Sequence, residues 1–444
     1  METKIIALVL ISILIGSALG YGVAIFTIGQ SQSSKVKELQ EKVSQLQGKV
    51  SQLQDRINYL ESQLGPKQFV IGAIFDLSGE LGDIGEDFKV AVEIAVSDIN
   101  NFLKSIGSNI SFKLIVKDSI GKPEEAVKAL QDLVQTSGVK VIIGPMTSAE
   151  VSAVKSFADE NKIVVISPSS TAPSLAIPND FIFRTVGCDK LQSLALARLA
   201  SDKGYKKVIV FCRDDTYGVG LAEAFKTRFE ELGGQAKIVK YTPNQPDYSS
   251  EVSQLSQTVS SWNADAVLLI SFSTDGANII GHAKEHDALK NVKWMASEGP
   301  HGSEPLKTPE NAAFLISTNL LGTRPKPPEV MNTSTYLHFL SEYRSKTGSN
   351  PISFTLYTYD AVWLAALSII FAGKYDGETI KNALPLVAKI YSGISGSLEL
   401  DNAGDRARTD YFIYTLTEKD GKYDYVDIGA YSCDKDSIEW FSKS

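Results

Sequence analysis

Strand-like and helix-like hydrophobic patterns alternate through most of this chain, beginning near Phe69. Short apolar runs predict buried strands at 69–75, 112–117, 139–143, 163–167, 207–212, 238–241 and 264–271, with helical periodicity between them. Such alternation predicts parallel sheets that are covered by helices on both faces. The chain has 444 residues, which is longer than a chain that folds around a single hydrophobic core. The alternation also restarts after Asp180–Arg184. We therefore expect an α/β fold with two similar, doubly wound lobes.

Two of the predicted strands run directly into turns that are rich in hydroxyl groups. These are the segments 141–148, which ends in Met-Thr-Ser, and 163–171, which ends in Ser-Pro-Ser-Ser-Thr. In an open α/β sheet, such turns lie at the carboxyl ends of the strands, where small ligands bind. Ser148 precedes a helical pattern and is expected to be its N-cap, with its hydroxyl and the neighbouring backbone N–H groups facing an anion. A small carboxylate would suit this corner.

The N-terminal residues predict a membrane segment. An apolar run from Ile5 to Ile28 has 24 residues, compared with about 20 needed to cross the hydrocarbon core. Residues 1–30 are therefore expected to form an uncleaved transmembrane anchor, with Lys4 favouring a cytoplasmic N-terminus. A cleaved secretory signal is the alternative, because residues 17–20 offer small side chains for cleavage.

A heptad pattern follows the apolar run and predicts a helical stalk over residues 31–66. Its a positions are Val36, Val43, Val50, Ile57 and Leu64, and its d positions are Leu39, Leu46, Leu53 and Leu60. β-Branched residues at a with Leu at d favour a parallel two-stranded coiled coil. Gly65-Pro66 would end the helix. The alternative is a single amphipathic helix that packs on the globular part.

Composition and motifs exclude several function classes. A net charge of −8 without a basic run argues against a nucleic-acid partner. Three scattered cysteines are too few for a disulfide framework or a cysteine-based zinc site. His282-Ala-Lys-Glu-His286 fits the H-x-x-E-H pattern of a zinc peptidase, with two imidazoles one helical turn apart, but short motifs of this kind often occur by chance. We expect no metal, no cofactor and no enzymatic activity.

An ordered set of short motifs resembles the leucine/isoleucine/valine-binding proteins of ABC importers. The motifs are Leu77-Ser-Gly79, Ile142-Ile-Gly-Pro145, Ile166-Ser-Pro168 with Thr171-Ala-Pro173, Phe183-Arg-Thr185, Asp215-Thr-Tyr-Gly-Val-Gly-Leu221 and Tyr357-Thr-Tyr-Asp-Ala361. Single motifs of this set are weak, but they occur in family order over residues 67–430. The resemblance implies the periplasmic binding protein type I fold, in which three crossovers join two lobes that close on a ligand.

The resemblance also implies roles for particular residues. Ser148 and Thr171 would bind the ligand carboxylate, and the carbonyl of Ser169 would accept from the ammonium. Glu298, in the second lobe, would complete the ammonium site.

The cleft walls follow from the same resemblance. Tyr217 and Phe272 would line the cleft from the second lobe. Ile84 stands where many relatives have Tyr or Trp, and with Met146 and Phe354 it would make the side-chain compartment apolar. The family's disulfide near the cleft is absent, because Thr147 replaces a cysteine.

The expected protein is a tethered solute receptor at the outer face of the cytoplasmic membrane. It would take up an apolar or branched-chain amino acid and present it to the permease and ATPase subunits of an ABC importer.

 The expected ligand is thus a branched-chain or otherwise apolar amino acid. The expected units are the anchor at 1–30, the stalk at 31–66, a first lobe at 67–186 and 320–395, and a second lobe at 187–319 and 396–444.

Two other functions fit parts of the sequence. One is a sensory or adhesive ectodomain whose dimeric stalk transmits closure across the membrane, although only four residues precede the apolar run. The other is a zinc-dependent hydrolase built on the His282 motif.

Overall fold

Two α/β sheets organise the globular part of the protein. The structure is a computed structural model that describes residues 33–62, 67–326 and 333–442. The predicted transmembrane anchor at 1–30 lies outside the described residues. Within the described part, the strands form a six-stranded sheet, an eight-stranded sheet and a small two-stranded ribbon of β11 (Ser392–Gly393) and β12 (Gly396–Ser397).

The first lobe is built around the six-stranded sheet, with strand order β13-β5-β4-β3-β1-β2. Its strands are β1 (Lys67–Phe75), β2 (Ile110–Asp118), β3 (Val141–Ile143), β4 (Val164–Ser167), β5 (Ile182–Gly187) and, from late in the chain, β13 (Asp405–Arg406). Its helices are α2 (Gly82–Ser105), α3 (Pro123–Ser137), α4 (Ser148–Asn161), α11 (Ser334–Thr347), α12 (Ser353–Ala372) and α13 (Gly377–Ile390), where α1 is the stalk helix Ser33–Ser62. All pairings in this sheet are parallel, as the alternating pattern predicts.

The second lobe is built around the eight-stranded sheet, with strand order β16-β15-β14-β10-β9-β8-β6-β7. Its strands are β6 (Lys207–Arg213), β7 (Gln235–Tyr241), β8 (Ala266–Ile270), β9 (Lys293–Ala296), β10 (Leu321–Pro325), β14 (Tyr411–Lys419), β15 (Lys422–Ser432) and β16 (Ser437–Trp440). Its helices are α5 (Asp189–Asp202), α6 (Thr216–Glu231), α7 (Ser249–Trp262), α8 (Ser273–Ala283), α9 (Asp287–Lys290) and α10 (Pro309–Ser317). Strands β6 to β10 are parallel, whereas β14 to β16 add an antiparallel edge.

The chain passes between the two sheets three times, and two of these crossings differ from the expected boundaries. The first crossing lies at Cys188, between β5 and α5. The expected start of the returning first-lobe segment at 320 is too early, because β10 pairs with β9 and β14 in the second sheet. The expected end at 395 is also too early, because β13 pairs with β5 in the first sheet. Sequence pattern identifies a strand, but long-range pairing decides which sheet it joins.

The hydrophobic core of each lobe lies on both faces of its sheet. All four buried apolar clusters consist of residues after 69, so the globular part has its core without the stalk helix. Among the described residues, α12 is the one helix whose length and composition would allow it to cross a membrane. Most of its side chains are buried in the first-lobe core, which accounts for its apolar sequence.

Helix α1 covers most of the predicted stalk. Four of the heptad residues on it are exposed: Leu39 (56%), Val43 (52%), Leu46 (60%) and Leu53 (55%). These four side chains are open to solvent, while the Gln54 side chain of the same helix donates to the backbone oxygen of Ile106 in the first lobe at 3.4 Å. Pairing with a second copy stays a prediction.

Candidate functional site

A cavity of about 720 Å³ lies between the lobes, at the carboxyl ends of the parallel strands. All eight residues that the sequence predicts for the ligand site line this cavity. They are Ile84, Ser148, Ser169, Thr171 and Phe354 from the first lobe, and Tyr217, Phe272 and Glu298 from the second. The fold thus brings both sets together in one space between the lobes, from distant parts of the chain.

The turn after β3 shapes one corner of the cavity. Gly144 has a φ of +92°, and a Cβ atom there would meet the backbone oxygen of Ile74 at 2.2 Å, so only glycine fits. The N-cap of α4 is Thr147, not Ser148 as expected. Thr147 accepts a hydrogen bond from the backbone N–H of Glu150, and the Glu150 carboxylate accepts one in return from the backbone N–H of Thr147, which completes a capping box.

Ser148 is the first residue of α4, and its hydroxyl links the two turns predicted from the sequence. The Ser148 Oγ accepts hydrogen bonds from the backbone N–H groups of Thr171 and Ala172, both at 3.2 Å. The Ser170 hydroxyl donates to the same oxygen at 3.1 Å. The first N–H groups of a helix have no acceptor within that helix, so this corner presents hydroxyls and backbone donors together. Such a set suits a small anion.

A buried ion pair fixes the turn that carries Thr171. The guanidinium of Arg184 binds both carboxylate oxygens of Asp405, each at 2.5 Å. The same group donates to the backbone oxygens of Ser170 (3.3 Å) and Ala172 (2.8 Å). Because Asp405 lies on β13, the third crossing helps to hold the first-lobe corner in place.

Two buried carboxylates lie on the other side of the corner. Glu298 is 8% exposed, and its carboxylate accepts from the side-chain amide of Gln192 at 2.5 Å. Asp189 is fully buried, and it accepts from the hydroxyl of Thr171 at 2.9 Å while its other oxygen has no partner among the described residues. Burial raises the pKa of both carboxyl groups, and the charge of Glu298 raises the pKa of Asp189 further. A cation would relieve this repulsion.

Sequence reasoning missed Asp189 and Gln192. Both lie in the first turn of α5, directly after the first crossing. An acid that opens a helix beside Thr171 was visible in the sequence, but acids are common at helix N-termini for reasons unrelated to ligands.

Aromatic side chains form the second-lobe wall. The rings of Tyr217 and Phe272 are stacked with centroids 5.5 Å apart. The Tyr217 hydroxyl donates to the hydroxyl of Ser297 at 2.9 Å, next to Glu298. Burial and the charge of Glu298 raise the pKa of Tyr217, so the phenol stays neutral and able to donate.

The opposite part of the cavity is apolar on the first-lobe side and charged on the second-lobe side. Apolar lining comes from Leu81, Ile84, Phe88, Met146 and Phe354, among others. Arg324 forms a two-pronged ion pair with Asp427, and Lys307 pairs with Asp424 at 3.1 Å. Because these charges are paired with one another, the apolar wall sets the character of this compartment.

The H-x-x-E-H match at 282–286, considered as an alternative, is not folded with its two histidines on one helix. Helix α8 ends at Ala283, so His286 is not on the same helix as His282, contrary to expectation. His282 instead pairs with Asp247 at 2.6 Å. Within residues 33–62, 67–326 and 333–442, no group of three or more His, Cys, Asp or Glu side chains could hold a metal ion.

Comparison with known proteins agrees with this geometry. Residues 88–419 match the family model described as the receptor family ligand binding region. An uncharacterized protein of Methanocaldococcus jannaschii is 28% identical over 400 residues, which is 85% of this chain and 93% of the relative. The Leu/Ile/Val-binding protein BraC3 of Rhizobium johnstonii is 26% identical over 352 residues, covering 78% of this chain and 90% of the relative.

A solved structure also resembles the fold. The leucine-binding protein LivK of Thermotoga maritima superposes with a TM-score of 0.71 and 26% identity, covering 83% of this chain and 99% of LivK. The motif resemblance and the two-lobed fold are both confirmed. The chain belongs to the receptor family ligand binding region family, and it is similar in sequence and in its two-lobed fold to leucine- and Leu/Ile/Val-binding proteins.

Proposed function

We propose that this protein is the extracytoplasmic solute receptor of an ABC importer, and that it captures a branched-chain or otherwise apolar amino acid. The observation that carries the proposal is the joint placement of Ser148, Thr171 and Glu298 around one cavity between two lobes. An α-amino acid carries opposite charges on adjacent groups, so its receptor needs anion donors close to a carboxylate. Charge-assisted hydrogen bonds of both kinds are stronger than neutral ones.

Each lining residue then has a role. Ser148 binds the ligand carboxylate with its hydroxyl, and Thr171 does so when its hydroxyl turns from Asp189 to the ligand. Glu298 and the carbonyl of Ser169 bind the ammonium, and the buried charge of Asp189 adds to its attraction. The ligand side chain lies against Ile84 and Phe354, while Tyr217 and Phe272 cover it from the second lobe. Relatives named as leucine- or Leu/Ile/Val-binding proteins support this ligand class.

A thermal-shift screen of the common L-amino acids tests the function. We expect the fragment 67–444 to melt at a higher temperature with one or more apolar amino acids, because a ligand that binds only the folded state adds RT ln(1 + [L]/Kd) of stability. An excess of 100 Kd corresponds to about 2.7 kcal/mol. Stabilisation by amides, urea or sugars, with none by any amino acid, would overturn the assignment.

Ligand binding is expected to release protons. The raised pKa values of Asp189 and Glu298 mean that the empty cleft retains protons at a higher pH than ordinary carboxyl groups do. The ligand ammonium favours the ionised carboxylates, so it lowers these pKa values, and the affinity falls as the pH decreases. Calorimetry at one pH in phosphate and in Tris, whose ionisation enthalpies differ, measures the release directly. Identical binding enthalpies in the two buffers would contradict it.

In this proposal, the N-terminal region attaches the receptor to the membrane. The apolar run at 1–30 anchors the chain at the outer face of the cytoplasmic membrane, and the exposed heptad residues of α1 pair with those of a second copy. A permease that recognises the closed lobes then acts only on the loaded receptor. No cofactor or catalytic step is part of this function.

A further inference from the structure

An ion pair spans the cleft beside the aromatic wall of the cavity. Glu80 belongs to the first lobe, in the turn between β1 and α2, and Arg213 ends β6 in the second lobe. The Arg213 guanidinium faces the Glu80 carboxylate with two contacts, of 3.4 Å through Nη1 and 3.3 Å through Nη2. Both side chains are shielded from solvent, at 4% exposure for Arg213 and 18% for Glu80.

Arg213 is held in place by its own lobe. Its Nε donates to Asp215 at 2.6 Å, and its Nη1 donates to Asp275 at 3.0 Å. Asp275 in turn accepts from the hydroxyl of Tyr241 at 2.6 Å. The guanidinium therefore keeps Asp215 and Asp275 as partners, and keeps its orientation, when the two lobes separate.

Glu80 depends on the opposite lobe. Among the described residues, Arg213 is the only hydrogen-bond partner of its carboxylate. Separation of the lobes would return Glu80 to water and leave the pairs within the second lobe intact. The contact thus discriminates between the closed and open arrangements, and an interaction of this kind shifts the equilibrium between them.

The pair is also adjacent to the ligand cavity. The guanidinium carbon of Arg213 lies 3.7 Å from the ring centroid of Phe272, which lines the cavity and stacks on Tyr217. Near the same edge, α6 approaches the first lobe, where a Cβ atom on Gly220 would lie 2.9 Å from Pro173. Closure at this edge and placement of the aromatic wall therefore involve the same residues.

We propose that Glu80 and Arg213 are positioning residues for ligand capture, whose ion pair across the cleft stabilises the closed lobes around the ligand. This inference rests on the proposed function, because it assigns the closed cleft to amino-acid binding. Neither residue touches the ligand. Their effect is on how long the lobes stay closed.

Replacement of Glu80 by glutamine tests the inference, with L-leucine as the probe. We expect Glu80→Gln to weaken binding about five- to thirtyfold, mostly through faster dissociation in stopped-flow measurements, because a shielded charge pair acts mainly on the dissociation rate. The melting temperature of the ligand-free variant should match the wild type, since the open form lacks the pair. Added salt should weaken binding to the wild type more than binding to the variant.

Glu86→Gln is the matched control. Glu86 lies six residues further along, pairs with Lys89 on the exposed side of α2 at 3.0 Å, and does not cross the cleft. It should leave affinity and dissociation unchanged. Wild-type affinity in Glu80→Gln, equal losses in both variants, or a lower melting temperature of ligand-free Glu80→Gln would each overturn the inference. Failure of the wild type to bind L-leucine or any other apolar L-amino acid would instead refute the proposed function and this inference with it.

Discussion

Glu298→Gln is expected to weaken amino-acid binding by about 2–5 kcal/mol, or roughly thirty- to several-thousandfold in Kd. Glutamine keeps the size of the side chain and its hydrogen bond with Gln192, but it removes the charge that faces the ligand ammonium. The loss is large because Glu298 is buried, where water does not replace the missing charge. Calorimetric titration of both proteins with L-leucine measures the difference.

Glu285→Gln provides the comparison for this prediction. Glu285 is an exposed residue in the turn after α8 of the same lobe, so the substitution changes the net charge equally without touching the cavity. We expect its affinity to stay within about twofold of the wild type, since exposed charges contribute little. Equal affinities of the two variants would remove Glu298 from the ligand site.

The second large effect concerns the stalk. A protein comprising residues 31–444 is expected to be a parallel dimer at micromolar concentration, whereas 67–444 is expected to be a monomer. The stripe on α1 leaves Val43, Leu46 and Leu53 more than half exposed in the single chain, and burial of an apolar stripe at heptad spacing drives helix pairing. Light scattering gives the mass of each protein directly.

Aspartate at both Val43 and Val50 should return 31–444 to the monomer. Pairing would bury like charges in two successive a layers, which costs several kcal/mol for each unpaired ion. Aspartate at both Gln45 and Gln52 is the matched control, because it places the same charges at the same spacing outside the stripe. If the variant with aspartate at Val43 and Val50 stays a dimer, or if both variants become monomers, the heptad positions a and d do not form the interface.

Sequence pattern predicted the fold well because the fold depends on local periodicity. Apolar runs marked most of the strands of the two sheets, and the helical faces between them implied parallel pairing. The boundaries between the lobes were predicted less accurately. Which sheet β10 or the two-residue β13 joins depends on pairing with strands that are far away in the chain. No local pattern distinguishes a strand of one lobe from a strand of the other.

For the candidate site too, the sequence predicted which residues are involved better than it predicted their long-range contacts. The sequence, through the motif resemblance and the apolar pattern, predicted eight residues that line one cavity, but it did not reveal how they are held. Thr147, not Ser148, caps α4, and Glu150 three residues later was the sequence signal for that capping box. Asp189 was missed because its burial beside Glu298 arises only when the first crossing is folded.

The central claim is that the cleft recognises both charges of one amino acid. Titration of 67–444 with L-leucine, 4-methylpentanoate and 3-methylbutylamine tests it most directly, because the last two compounds each keep the side chain and only one charged group. We expect L-leucine to bind and each of the other two to bind at least about thirtyfold more weakly. Binding of 4-methylpentanoate as tight as that of L-leucine would contradict the role of Glu298 and the assignment of the cleft to amino acids.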